Sequence, residues 1–198
     1  MRKILLIFAM LFLSGVAMAQ DGASQALQRV AKYVKSLGRY EVSFTLLAGE
    51  YSAKGYFRVD GDSYYMTVGT AEVYCDGKVR YEVDNERQEI NIDEVDTASR
   101  NVLDNPTRCF DFVGSDYSVK EELSRSGRTK LTLSAEDKDI EGVIILSLDE
   151  KTGRPIGLEY ELYDERVVID VISIATAKEQ VKRFNQSAYR GYEVVDFR

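Results

Sequence analysis

From Tyr40 onward, apolar residues fall at every second position. Tyr40, Val42, Phe44 and Leu46 alternate with Glu41, Ser43 and Thr45. Ala53, Gly55, Phe57 and Val59 repeat the rhythm up to Asp60-Gly61-Asp62, and Tyr64, Met66 and Val68, then Ala71, Val73 and Cys75, carry it to Asp76-Gly77. Val79, Tyr81 and Val83 follow, then Asp84-Asn85-Glu86, then Ile90 and Ile92. A period of two is that of a strand with one buried face. Asp-Gly pairs between such runs supply the positive φ that hairpin turns need. The pattern predicts an antiparallel meander from Tyr40 to Val95. Ahead of it the period changes. Leu27, Val30, Ala31, Val34 and Leu37 recur at helical spacing, and Gly38 is placed to end that helix.

After Val95 the rhythm breaks. In "DTASRNVLDNPTRCFDF", residues 96–112, Asp96 or Thr97 is a candidate N-cap for a short helix reaching Asp104, and Pro106 prevents its continuation. Leu103, Phe110 and Phe112 make this stretch too apolar for a bare linker. Strands resume with Leu131 and Leu133 after a turn at Ser126-Gly127-Arg128, and with the apolar run Val143 to Leu148. Thr152-Gly153-Arg154-Pro155 turns the chain into Ile156, Leu158, Tyr160 and Leu162; Val167 to Ile174 is another strand. The polar residues 176–186 read as loop or helical turn, and Glu193 to Arg198 as a terminal strand. A single sheet this long must curl or close, and an apolar helix face must bury itself on it. The expected fold is mostly β (α+β): one strongly curved antiparallel sheet, an unclosed β-barrel, with one or two helices covering its concave face.

Composition narrows the function. Arg2 and Lys3, the apolar run Ile4 to Phe12 and Ala17-Met18-Ala19 form the charged, apolar and cleavage regions of a secretory signal peptide. Residues 1–19 are expected to be removed, leaving 20–198 as one exported domain. The short charged region and compact apolar run favour a bacterial periplasm. No Cys follows the cleavage site, so no lipid anchor on the protein itself is expected. Without Arg2 and Lys3 the 26 basic residues become 24 against 33 acidic ones, a net charge of −9. That balance argues against nucleic acid and against anionic headgroups. Cys75 and Cys109 are compatible with a disulfide or with two buried small side chains.

Catalytic groups are scarce. With no His in the chain, Ser-His-Asp and Cys-His sites are impossible, and no G-x-S-x-G, P-loop or G-x-G-x-x-G stretch occurs. A carboxylate pair is the remaining enzymatic route. Most Asp and Glu alternate with apolar residues and face water, and Trp, which often stacks on sugars, is absent. Asp93, Glu94 and Asp96 lack the spacing of a calcium loop. No enzyme, metal or cofactor is expected. What the chain does offer is apolar surface. Phe44, Phe57, Tyr64, Met66 and Tyr81 would share one sheet face if the alternation holds, either as plain core or as the wall of a cavity suited to acyl chains.

The order of several short motifs carries a resemblance over nearly the whole expected mature chain. They are G-Y-F-R-V at Gly55 to Val59, Y-C-D-G-K at Tyr74 to Lys78, Y-E-V at Tyr81 to Val83 and E-I-N-I at Glu89 to Ile92. L-D-N-P at Leu103 to Pro106, K-T-G-R-P at Lys151 to Pro155 and the terminal V-V-D-F-R complete the series. In this order they resemble a divergent member of the LolA family of periplasmic lipoprotein carriers. Where better-known carriers have a strand Arg followed by Pro, this chain reads Val59-Asp60-Gly61-Asp62, so no functional Arg is carried over.

The resemblance implies an unclosed barrel with a helical lid and an apolar cavity. Its expected lining is Val42, Phe44, Leu46, Phe57, Tyr64, Met66, Val73, Tyr81, Ile92, Leu103, Phe110, Phe112, Leu133, Leu146, Leu158 and Tyr160. It also implies a monomer that takes the acyl chains of lipoproteins from an inner-membrane release complex to an outer-membrane acceptor, without covalent chemistry. The alternatives are a LolA-like interaction or sensor domain with a solid core, or a carrier of another lipid. On the carrier reading Phe57→Asp or Met66→Asp abolishes lipid binding and leaves the fold intact; collapse of the fold would mark both as core and take from the carrier reading the basis that these residues give it.

Overall fold

The computed structural model describes residues 22–114, 117–123, 126–136, 142–162 and 165–198; the expected signal peptide lies outside the described residues. Helix α1 spans 22–37 and ends at Gly38, whose φ of 64° is the left-handed value that suits glycine at a helix terminus. The meander follows as β1 (Tyr40–Ala48), β2 (Tyr51–Asp60), β3 (Ser63–Val68), β4 (Ala71–Cys75), β5 (Val79–Asp84) and β6 (Glu89–Glu94). After the 96–114 segment come β7 (Tyr117–Leu123), β8 (Arg128–Ala135), β9 (Val143–Asp149), β10 (Pro155–Leu162) and β11 (Glu165–Thr176). A short 3-10 turn, Gln186–Ala188, precedes β12 (Glu193–Asp196).

Among the described residues the strands form one 12-stranded sheet in the order β12-β6-β5-β4-β3-β2-β1-β11-β10-β9-β8-β7. The ends, β12 and β7, do not pair, so the sheet is unclosed. Neighbouring strands are antiparallel except that β12 runs parallel to β6, with Glu193 opposite Glu89 and Asp196 opposite Ile92. The short helix expected over 96–104 does not form. Asp96 Oδ1 accepts from the N–H groups of Ala98 and Ser99, and Asn101 Oδ1 accepts from that of Leu103. These side chains supply turns in place of a helical ladder. One α-helix is therefore present among the described residues.

The sheet carries two separate cores. On the face toward α1, Ala23, Ala26, Leu27 and Val30 share a buried cluster with Val42, Phe44, Phe57, Met66, Leu131 and Leu158. Gly55 makes room in it: a Cβ there would lie 2.1 Å from the ring of Phe44, its cross-strand partner. The opposite face carries a cluster of Tyr65, Tyr74, Val83 and Ile90, against which Tyr56, Tyr81, Ile92, Val181, Phe184, Tyr189 and Tyr192 pack. The last four belong to residues 177–192, which cross this outer face as a strap. Phe184 stacks between Tyr81 (4.2 Å) and Tyr189 (5.8 Å).

A carboxylate ties the strap down. Glu72 accepts hydrogen bonds from the hydroxyls of Tyr65 and Tyr74 at 2.8 Å each, from Tyr189 at 3.3 Å and from Asn85 Nδ2 at 3.5 Å. Burial alone would raise its pKa, but these donors together outweigh burial and hold it below its usual value. A depressed folded-state pKa means that the stabilisation is complete above the unfolded value of 4.5 and is lost as pH falls through the folded one. Glu72→Gln is expected to lose less stability than the wild type between about pH 7 and about pH 3. Urea unfolding at the two pH values measures this. Equal losses in the two proteins would remove Glu72 as a source of the pH dependence.

Candidate functional site

The helix-side face is the part of the sheet that the sequence marked as a possible lipid wall. Twelve of the residues expected there lie in one cluster, exposed by only 0 to 5 %: Val42, Phe44, Leu46, Phe57, Tyr64, Met66, Val73, Phe110, Phe112, Leu133, Leu146 and Leu158. Leu103 and Tyr160 pack against them, partly buried. A side chain lining a water-sized void retains accessible area, so this face is packed shut.

Tyr81 and Ile92 do not join them; they belong to the outer cluster. Register is the reason. The β4–β5 hairpin sets Tyr74 opposite Tyr81 and Cys75 opposite Arg80, and β5–β6 continues with Tyr81 opposite Ile92 and Val83 opposite Ile90. In β5 and β6 the apolar positions point outward, and Arg80, Glu82, Asn91 and Asp93 share the helix-side face. Tyr81 instead borders an outer cavity of about 430 Å³, where Asp60, Asp76, Lys182 and Arg183 also stand. Four charged side chains make that space a poor host for an acyl chain.

The 96–114 segment completes the helix-side core, with Val102, Cys109, Phe110 and Phe112 as its buried contributions. It has little regular structure of its own. Asn105, itself buried, organises it: Nδ2 donates to the Asp96 carbonyl at 2.9 Å, and Oδ1 accepts from the Thr107 hydroxyl at 2.6 Å. Three strand tyrosines reach its backbone. Tyr64 Oη donates to the Asp104 carbonyl at 2.8 Å. Tyr160 Oη donates to the Arg100 carbonyl at 3.1 Å and accepts from the Val102 N–H at 3.0 Å. Tyr40 Oη makes a longer contact of 3.5 Å with the Pro106 carbonyl. Burial, as the largest cause, raises the pKa of all three phenols, which keeps them protonated as donors.

Arg80 is the fourth donor to this segment. Its side chain is 16 % exposed, Nη1 bonds Glu82 at 2.7 Å, and Nη2 lies 3.4 Å from the Leu103 carbonyl. Its Nε is buried without a hydrogen-bond partner. Sequence reasoning missed Arg80, because a charged residue inside an alternating strand reads as a solvent-facing one. Tyr40 was legible as a strand position, but not as a donor to a segment more than sixty residues away. Cys75 and Cys109 are both free and buried, and burial raises both thiol pKa values.

An uncharacterized conserved protein from Thermus thermophilus superposes with a TM-score of 0.52 at 10 % identity, over 87 % of this chain and 97 % of that one. At that identity the similarity is one of fold alone, over most of both chains. Lower similarity relates the chain to a LolA superfamily protein from Nitrosomonas europaea (TM-score 0.40, 10 % identity, 84 % of this chain and 96 % of that one). The lipoprotein LppX of Mycobacterium tuberculosis is similar at a TM-score of 0.43 and 10 % identity, over 80 % of this chain and 97 % of that one. No protein-family model and no curated protein sequence matches the chain. In this sheet the face expected to be the lipid wall is occupied by the protein's own residues 96–114 and α1.

Proposed function

We propose that this protein is an exported, noncatalytic carrier. It takes the acyl chains of a lipoprotein onto the helix-side face and passes them between membranes. The mature chain is read as periplasmic and monomeric, covering residues 20–198, with α1 and residues 96–114 over the concave face. Its partners on this reading are an inner-membrane release complex and an outer-membrane acceptor, as the motif resemblance implies.

The observation that carries the reading is how the apolar face is closed. Its cover is a segment of turns, held by side-chain donors on backbone carbonyls; each neutral bond from a tyrosine contributes about 1 kcal/mol net, and the longer charged one from Arg80 is of similar order. Displacing Val102, Leu103, Phe110 and Phe112 forfeits burial of about 1.5–3 kcal/mol each, roughly 6–12 in all. A dozen buried acyl methylenes return about 10 kcal/mol. The two are of the same order, which is what reversible loading and release require.

The full burial of the wall residues also supports a second reading, a periplasmic interaction or sensor domain with a solid core. Native mass spectrometry of the mature protein, purified from periplasm without detergent, separates the two. Added mass that proves to be an acylated polypeptide is the result expected of a carrier. Added free lipid would move the function to transport or sensing of another lipid. A bare mass, both from cells and after incubation with an acylated peptide, would leave only the interaction domain.

A further inference from the structure

We propose that Tyr64, Arg80 and Tyr160 form a subsite for ester carbonyls, which reads the linkage between cargo acyl chains and their glyceryl backbone. The proposal rests on the carrier reading and adds to it a chemical class of ligand. On the helix-side face these three side chains are donors set into an apolar wall. Each now faces a peptide carbonyl of the covering segment: Asp104 from Tyr64, Leu103 from Arg80 and Arg100 from Tyr160. When acyl chains displace that segment, all three carbonyls leave together. A buried donor without an acceptor is costly. An ester carbonyl is a neutral oxygen acceptor of the same kind, and it arrives with the acyl chain. The covering segment thus occupies the site as a mimic of the cargo, not merely as a plug.

Charge selects a neutral acceptor over an anion. Arg80 is already paired with Glu82, and the β5–β6 register sets Asp93 opposite it. A phosphate or carboxylate placed at the guanidinium would meet the Glu82 carboxylate. A carbonyl meets no such repulsion, and the buried, unpartnered Nε of Arg80 is a further donor for it. Hydrocarbon alone leaves these donors unsatisfied, and an ether in place of the ester lacks the carbonyl and offers only its weaker bridging oxygen.

The experiment compares dioctanoylglycerol with the chain-matched dioctylglycerol ether, which have the same headgroup and hydrocarbon length. Binding to the mature wild-type protein is measured by titration calorimetry, with native mass spectrometry for stoichiometry. The diester is expected to bind about tenfold more tightly than the diether, the scale of one to two neutral hydrogen bonds. In Tyr64→Phe/Tyr160→Phe, which keeps both rings, that ratio is expected to fall toward one. The diether itself should bind more tightly there, because the covering segment has lost its hydroxyl anchors. Equal wild-type binding of both lipids overturns the ester subsite and leaves the carrier reading standing. A tenfold preference that survives in the double variant overturns the assignment to the tyrosines. No binding of either lipid overturns both.

Discussion

Phe57→Asp is expected to unfold the protein. Phe57 is 1 % exposed, sits between Val42 and Met66 in register, and packs its ring 6.3 Å from Tyr40 and 5.9 Å from Phe44. Removing a buried phenyl ring costs about 3–5 kcal/mol. A carboxyl group in its place has no donor to satisfy it and must either stay charged at high cost or take up a proton. Together these are comparable with the roughly 5–15 kcal/mol that holds an ordinary domain. The variant should lose its cooperative urea transition at about pH 7 and recover part of it at about pH 4, because a carboxyl whose folded pKa is raised stabilises more as pH falls. A wild-type urea midpoint would show that Phe57 is not core. The residue therefore cannot separate cargo binding from folding, whereas the tyrosine hydroxyls can, since their removal leaves the packing in place.

Gly153→Ala is expected to undock the helix. Gly153 has φ of +74°, and a Cβ added to it would lie 2.6 Å from the backbone of Arg29 in α1. The left-handed conformation costs a residue with a Cβ about 1–2 kcal/mol, and overpacking against backbone adds about 1–3. Because the obstacle is backbone, no rotamer change relieves it, and α1 must move away from the β9–β10 turn. Hydrogen exchange in residues 23–34 should accelerate, and the midpoint of unfolding should fall. Gly61→Ala is the control: φ there is +62°, with nothing within 4 Å of the added Cβ, so only the conformational cost applies. Equal losses in the two variants would mean that α1 is not held against this turn.

The strands were legible because each leaves a local trace. Alternation from Tyr40 to Leu46 marks β1, and Asp60-Gly61 and Asp76-Gly77 fall at the turns that join β2 to β3 and β4 to β5. The helix was equally plain from its apolar spacing. The 96–104 helix failed for a local reason as well: Asp96, Asn101 and Asn105 bond nearby backbone and amide groups, and turn chemistry prevails over a weak helical pattern. Of the residues expected to share one face, Tyr81 and Ile92, on β5 and β6, are the ones that fall on the other. Alternation states that Tyr81 and Val83 share a face, but it does not state which face. A hairpin register of Tyr74 to Tyr81 turns that pair outward and brings Arg80 in.

Local periodicity and turn chemistry, which depend only on neighbours in the chain, were enough for a mostly β architecture with one early helix and apolar residues reserved for one side of each strand. What covers each side was decided by pairing across the chain. Residues 177–192 close the outer face because Glu72 gathers Tyr65, Tyr74 and Tyr189 around one carboxylate. Residues 96–114 close the helix-side face because Tyr64 and Tyr160, distant in sequence, aim hydroxyls at nearby carbonyls of that segment. Hydrogen bonds between such distant positions leave no periodic trace in either partner, so they exist only once the sheet has set its register.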